Sequence, residues 1–189
     1  MVKLIYFFCL LLLSAWSQPL HSFELNAEQA MNILSMPMEK NTHGTFKQKK
    51  YFNVLANPFM SSGYYRQTDS KFTWETTKPV HSTLIFDGVK LWQQNGSEEK
   101  VELPLANHYI KVVKALINGD LIALKAFFAF NKSKISNCVI LSPLDDKIAL
   151  IGQTIHLCYQ DKHLSIRINE KSGNYTELLM TPADKSVVK

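Results

Sequence analysis

The side chains first suited to acid–base or metal chemistry are six histidines, His21, His43, His81, His108, His156 and His163. They lack the short intervals that place two ligands on one helix turn or one strand. His81 or His156 would act as a general base if folding carried a serine and a glutamate to it, but an unpartnered surface histidine is the commoner arrangement. There is no Gly-x-Ser-x-Gly elbow, no glycine loop to cradle a phosphate and no His-Glu-x-x-His, and only seven glycines occur in the chain. Asp145-Asp146 reads as a helix cap or a polar loop. The Asn-x-Ser/Thr matches at Asn95, Asn131 and Asn174 would matter only in a eukaryotic secretory chain. The chain is therefore expected to bind rather than catalyse, with no catalytic residue, metal or cofactor.

The cysteines carry more information. Cys9 lies within an apolar run, Leu4 to Leu13, that follows Lys3 and precedes Ala15-Trp16-Ser17. One positive charge, an apolar stretch too short to span a bilayer and small residues before Gln18 predict a cleaved secretory signal over residues 1–17. Residues 18–189 then form a single domain, large enough to bury a substantial core. An exported chain oxidises an even pair of cysteines. Cys138 and Cys158 fall in two strand-like segments, 135–141 and 154–160, and pairing these about a connection near Ile148 sets the cysteines opposite one another. A disulfide is predicted; a redox or metal site would need closer spacing and further ligands.

The net charge of +5 is moderate and dispersed, which together with export argues against a nucleic-acid partner. Lys47, Lys49 and Lys50 come nearest to a cluster. They are either a solvated strand face or an attraction to anionic headgroups or an acidic partner.

Asn26 with Gln29 three residues later forms a capping box, and Ala27, Ala30, Met31, Leu34 and Met38 make an apolar stripe that Pro37 interrupts. After Gly44 the period changes to two, predicting strands over 45–53, 61–67, 71–77, 82–86, 89–93 and 99–103. Asp87-Gly88 and Asn95-Gly96 supply hairpin turns. Pro104 opens a helix that lines up Leu105, Tyr109, Val112, Val113, Leu116 and Ile117, with Gly119 its stop and Asp120 the cap of a second helix over 121–128. Strands resume over 135–141, 154–160, 164–169 and 175–181. In the third of these, Leu164, Ile166 and Ile168 alternate with Ser165, Arg167 and Asn169, which gives a sheet one wet and one dry face.

Phe72 and Trp74 share one face of their strand, so they belong either to a core or to the wall of an apolar cavity. Four fragments resemble the LolA family of bacterial periplasmic lipoprotein carriers and its LolA-like relatives: Gly44-Thr45-Phe46-Lys47-Gln48-Lys49, Phe72-Thr73-Trp74, Pro79 five residues on, and Asp87-Gly88-Val89-Lys90-Leu91-Trp92. The resemblance implies an α+β fold, an incomplete antiparallel β-barrel with an N-terminal helix and a helical pair covering its mouth. It also implies a periplasmic carrier that shields acyl chains of a lipoprotein, a glycolipid or a related molecule on the way to the outer membrane, acting as a monomer between an inner-membrane exporter and an outer-membrane acceptor. Phe46, Phe52, Phe72, Trp74, Leu84, Phe86, Leu91 and Trp92 would line the cavity, and the helical residues Leu116, Leu124, Phe127 and Phe128 would move to admit the guest. Met31, Met36, Met38 and Met60 add adaptable apolar surface.

Two departures point to a divergent relative. The lipoprotein carriers have an Arg-Pro pair before the Phe-x-Trp where this chain has Thr68-Asp69, with Arg66 displaced by two residues. The chain also stops at Lys189, without the extra segment that some carriers possess. Alternatives are a lipid sensor of the envelope, as in RseB-like relatives, and a small secreted hydrolase.

Overall fold

The computed structural model describes residues 24–37, 41–104 and 107–183. The expected signal at 1–17, and Met38 and Leu105, lie outside these residues. The described chain forms one antiparallel sheet of twelve strands: β1 (Glu24–Leu25), β2 (Thr42–Tyr51), β3 (Phe59–Gln67), β4 (Phe72–Lys78), β5 (Ser82–Phe86), β6 (Leu91–Asn95), β7 (Val101–Leu103), β8 (Phe128–Lys132), β9 (Cys138–Pro143), β10 (Thr154–Gln160), β11 (His163–Asn169) and β12 (Tyr175–Pro182). Four helices accompany it: α1 (Ala27–Leu34), α2 (Asn107–Asn118), α3 (Leu121–Leu124) and α4 (Asp146–Ala149). The strand order is β1-β8-β9-β10-β11-β12-β2-β3-β4-β5-β6-β7, so the sheet curves but does not close, and β1 and β7 are its edges.

That order decides where the helices lie. β7 is at one edge and β8 is next to the other, so the connection between them must cross a whole face of the sheet, and α2 and α3 are built into it. α1, between edge strand β1 and central β2, crosses half of the same face and lies closest to β8, β9 and β10. The covered face is the dry one. Phe46, Tyr65, Phe72, Phe86, Phe128, Val139, Leu141, Ile155, Leu157, Leu164, Ile166 and Met180 are buried there in a single cluster with Ala30, Leu34, Val112, Leu116, Ile117, Leu121 and Leu124 of the helices.

The helix signals act as expected. Asn26 Oδ1 accepts from the Gln29 N–H at 2.8 Å while Gln29 Oε1 accepts from the Asn26 N–H at 3.0 Å. α1 ends at Ser35 in the left-handed conformation, before Pro37 is reached. α2 ends in a Schellman motif: the Asp120 N–H donates to the Ala115 carbonyl at 2.9 Å and the Gly119 N–H to the Leu116 carbonyl at 3.2 Å, around Gly119 at φ 63°. Asp120 then caps α3, and Asp145 caps α4 by accepting from the N–H groups of Lys147 and Ile148.

Two expectations are corrected. The second helix does not reach residue 128. It ends at Leu124, and Phe128 and Phe130 alternate as buried residues with Ala129 and Asn131 on β8, which pairs with both β1 and β9. Consecutive aromatics satisfy either period, and the strand wins here because it buries both rings between two paired neighbours. Val113 is 40% exposed, so it lies off the buried stripe formed by Val112, Leu116 and Ile117. The two-residue edge strand β1 carries no readable pattern, and sequence periodicity missed it.

Cys138 and Cys158 are direct cross-strand partners and form a disulfide, with Cα atoms 4.1 Å apart. The Tyr159 N–H donates to the Asn137 carbonyl at 3.0 Å, so the adjacent cysteine pair takes the non-hydrogen-bonded position, where the Cα atoms approach most closely. Replacing both cysteines by alanine is expected to lower stability by about 3 kcal/mol. The check is a urea midpoint compared with the parent under oxidising and reducing conditions; an unchanged midpoint would mean that the crosslink does not restrain the unfolded chain.

Candidate functional site

Register sorts the expected wall residues. In one row across the sheet, Thr42, Gln67, Phe72, Phe86, Leu91 and Leu103 are successive partners; in the next, Gly44, Tyr65, Trp74, Leu84 and Gln93 follow one another. Phe46 stands opposite Gly63 on one side and Met180 on the other. Phe46, Phe72, Trp74, Leu84, Phe86 and Leu91 therefore share the face that the helices cover.

Gly63 explains the centre of this wall. A Cβ there would collide with the Glu75 carbonyl oxygen, so only glycine permits the close β3–β4 approach at the register shift beside Ser62. Phe46, opposite Gly63, reaches across β3 to stack on Trp74, with ring centroids 3.8 Å apart and planes at 23°. Phe72 continues the group at 6.3 Å from Trp74.

Two expected wall residues lie elsewhere. Trp92 pairs with Ile85 and Glu102, on the opposite face from its neighbour Leu91, because a single step along a strand reverses the side chain. Phe52 lies beyond the end of β2 and meets Phe59 edge-on at 5.6 Å, away from the Phe46 group. Leu116 and Leu124 are buried on α2 and α3, and Phe127, which follows α3, packs half-buried against the same core. Phe128 joins that core from β8, so it is not a helical residue.

Tyr65, Gln67, Leu178 and Met180 on this face were missed. The alternation Gly63-Tyr65-Gln67 carried the signal for the first two; Gln67 is only 5% exposed and its Oε1 has no hydrogen-bond partner. Arg66 points to the opposite face, where it is exposed beside His43 and Thr73, so it cannot hold the helices over the sheet.

In this conformation the helices fill most of the dry face: Phe46 and Phe128 are each 1% exposed. An open cleft of about 670 Å³ runs beside α1, α3 and β8, with Leu25, Met31, Ile122, Phe128 and Phe130 as its apolar lining and Lys125 among its polar residues. A second, of about 520 Å³, lies at the C-terminal end of α2 between Met36, Ile117 and Tyr159. Lys114 Nζ lies 5.6 Å from the centroid of the Phe86 ring, and the Tyr109 hydroxyl donates to the Lys147 carbonyl at 3.2 Å, so side chains tie α2 to the sheet and to α4.

His43, His81, His156 and His163 are apart from this face. His81 makes an exposed pair with Glu75 at 3.0 Å, and His163 meets the Thr181 hydroxyl at 3.0 Å. Burial first, and then the Arg167 charge beside it, hold the His156 pKa below its usual value. Among the described residues no group of three His, Cys, Asp or Glu side chains is placed to hold a metal.

Asp87 organises the hairpin that carries Leu91. The turn falls one residue later than the sequence suggests: Gly88, at φ 100°, and Val89 form its tip, and the Asp87 N–H donates to the Lys90 carbonyl at 3.2 Å. The Asp87 carboxylate accepts from the N–H groups of Lys90 at 2.8 Å and Val89 at 3.0 Å, and from the Trp92 indole at 3.0 Å. These bonds favour the charged form, those from Lys90 and then Trp92 most strongly, and lower the Asp87 pKa to about 2. Because the folded value is depressed, this contribution to stability is complete above the unfolded pKa near 4 and is lost as the pH falls through about 2. A carboxyl titration followed by NMR should place Asp87 near 2, and in Asp87→Ala the Trp92 indole proton should exchange faster with solvent. An ordinary carboxyl pKa for Asp87 would remove the turn's electrostatic anchor.

No protein-family model matches the chain. A protein of Shewanella halifaxensis (strain HAW-EB4) described as an outer-membrane lipoprotein carrier protein is 25% identical over 115 residues, which is 59% of this chain and 53% of that protein. This chain thus spans about half the length of the curated relative it matches. A solved structure of a LolA superfamily protein from Nitrosomonas europaea aligns with a TM-score of 0.44 and 10% identity, covering 86% of this chain and 96% of that one.

Proposed function

We propose that this LolA-like chain is an exported periplasmic carrier, which takes up acyl chains between the dry face of its sheet and helices α2 and α3 and passes them on without chemistry. The observation that carries the reading is topological: the β7–β8 connection lays short helices across an apolar face that the sheet leaves open. Helices held by side-chain packing can separate from a sheet without breaking a strand ladder, and a guest that binds only the opened form shifts the population toward it. Phe46, Phe72, Trp74, Leu84, Phe86 and Leu91 would then meet the guest, with Leu116, Leu124 and Phe127 as the moving part. A membrane exporter and an outer-membrane acceptor would load and unload it. The relative's printed description as a lipoprotein carrier supports the class of cargo.

The two tryptophans of residues 18–189 lie on opposite faces of the sheet, and this provides the test. In chains lacking residues 1–17, a palmitate brominated at mid-chain should quench Trp74 in the Trp92→Phe variant several-fold more than it quenches Trp92 in the Trp74→Phe variant. Equal quenching, or none, would defeat the reading. Half-buried Leu84 is the better site for a charge than Phe128, because an aspartate at the wall's margin can stay hydrated whereas a glutamate at 128 would be buried without a partner. Leu84→Asp should weaken capture about tenfold with the disulfide and the sheet intact.

A further inference from the structure

The β2–β3 hairpin runs past its neighbour. Phe59, Met60 and Ser61 pair with Lys50, Lys49 and Gln48 of β2, whereas β4 joins β3 only from Ser62. Residues 52–58 thus join two strands that extend beyond β4 on one side, while on the other β12 runs beside β2 as far as Tyr51. Its apolar side chains stand in solvent: Val54 is 83% exposed, Phe59 and Met60 63% each, and Leu55 49%.

The tip is nevertheless fixed. Phe59 meets Phe52 edge-on, the Leu55 N–H donates to the Phe52 carbonyl at 3.0 Å, and Asn53 donates from its backbone to Asn174 Oδ1 and from its side chain to the Ser172 carbonyl. A turn selected only for solubility would carry polar residues at these positions, and an exposed apolar group on an ordered tip marks an interaction surface.

Charge identifies the partner. Lys47 and Lys49 are exposed along the outward face of β2, Lys78 ends β4 opposite Ser62, and Lys171 lies on the adjoining β11–β12 turn. The carboxylates nearby are engaged, Glu170 by Lys50 and Glu177 by Arg167. Four exposed apolar side chains at one tip make a small patch for a stable protein interface, whereas shallow apolar insertion assisted by lysines works at this scale.

We propose that this hairpin docks the protein on an anionic bilayer, with Val54, Leu55, Phe59 and Met60 entering the interface and Lys47, Lys49, Lys78 and Lys171 meeting the headgroups. It adds to the carrier reading the place where the protein meets a membrane, and it stands on residues other than the wall and helical residues on which that reading rests.

The chain lacking residues 1–17, with no acyl guest, is floated with phosphatidylethanolamine vesicles with or without phosphatidylglycerol. Binding is expected to require phosphatidylglycerol, to weaken as salt is raised, and to fall about tenfold in Val54→Ser/Leu55→Ser and in Lys47→Gln/Lys49→Gln/Lys78→Gln. These surface variants should keep the parent's circular dichroism and its quenching by brominated palmitate, so failure here is distinct from failure of the carrier reading. No flotation of the parent chain, or flotation that is indifferent to both variants, overturns the proposal; a parent chain that floats equally well with uncharged vesicles overturns the role given to the lysines.

Discussion

A sheet that stays open must have its dry face covered by something other than itself, and in this chain the connections do the covering. The first strands of one meander and the last strands of the other meet at the β12–β2 pair, which leaves β7 and β8 far apart. The link between them has nowhere to run but across the face. That link is amphipathic for the same reason that any helix on a sheet is, and its buried residues, Val112, Leu116, Ile117, Leu121 and Leu124, meet the strands' inward rows. Location and composition of the cover thus follow from strand order.

At the middle of the wall, Gly63 lets β3 and β4 approach where the register shifts, because the β4 backbone at Glu75 and Thr76 takes the place of a side chain. Phe46, opposite Gly63, reaches across β3 to stack on Trp74. The outer face is treated differently. Trp92 there is held by Asp87 and covered by Lys90, so its ring serves the turn and its aromatic area does not enlarge the wall.

Much of this was legible because strand period and cap chemistry are local. The 82–86 and 154–160 strands lie where alternation put them, and the capping box at Asn26, the stop at Gly119 and the cap at Asp120 act as their residue types dictate. The cysteine pairing was readable for a related reason, since two neighbouring strands and one connection fix the register. What escaped depended on parity or on distant partners. A hairpin tip displaced from Asp87-Gly88 to Gly88-Val89, and the placement of Trp92 beyond it, turn on single-residue steps that reverse a side chain. Phe128 could be assigned to β8 only once β9 and β1 were in place beside it, and Phe52 could be detached from the wall only once β2 was seen to stop at Tyr51. The role of Arg66 was likewise a matter of face, which the adjacent buried Tyr65 settles.

The depth of burial under the helices sets what kind of guest the carrier reading allows. Lifting α2 and α3 would expose Ile110, Val112, Leu116, Ile117, Leu121 and Leu124, six side chains now between 0% and 5% exposed. At about 1.5–3 kcal/mol each, returning them to water costs about 9–18 kcal/mol. A guest recovers about 0.8 kcal/mol for each methylene it buries, so about 11 to 22 methylenes are needed merely to balance the opening. One short chain falls below that line and one long chain lies near it, whereas two or three chains on a single headgroup exceed it. On the carrier reading the cover would therefore discriminate by the total hydrocarbon a molecule presents. Because the closed form is stabilised by the same residues that a guest would displace, release on the carrier reading would need only an acceptor that competes for the chains, and the helices would return to the face as the guest left.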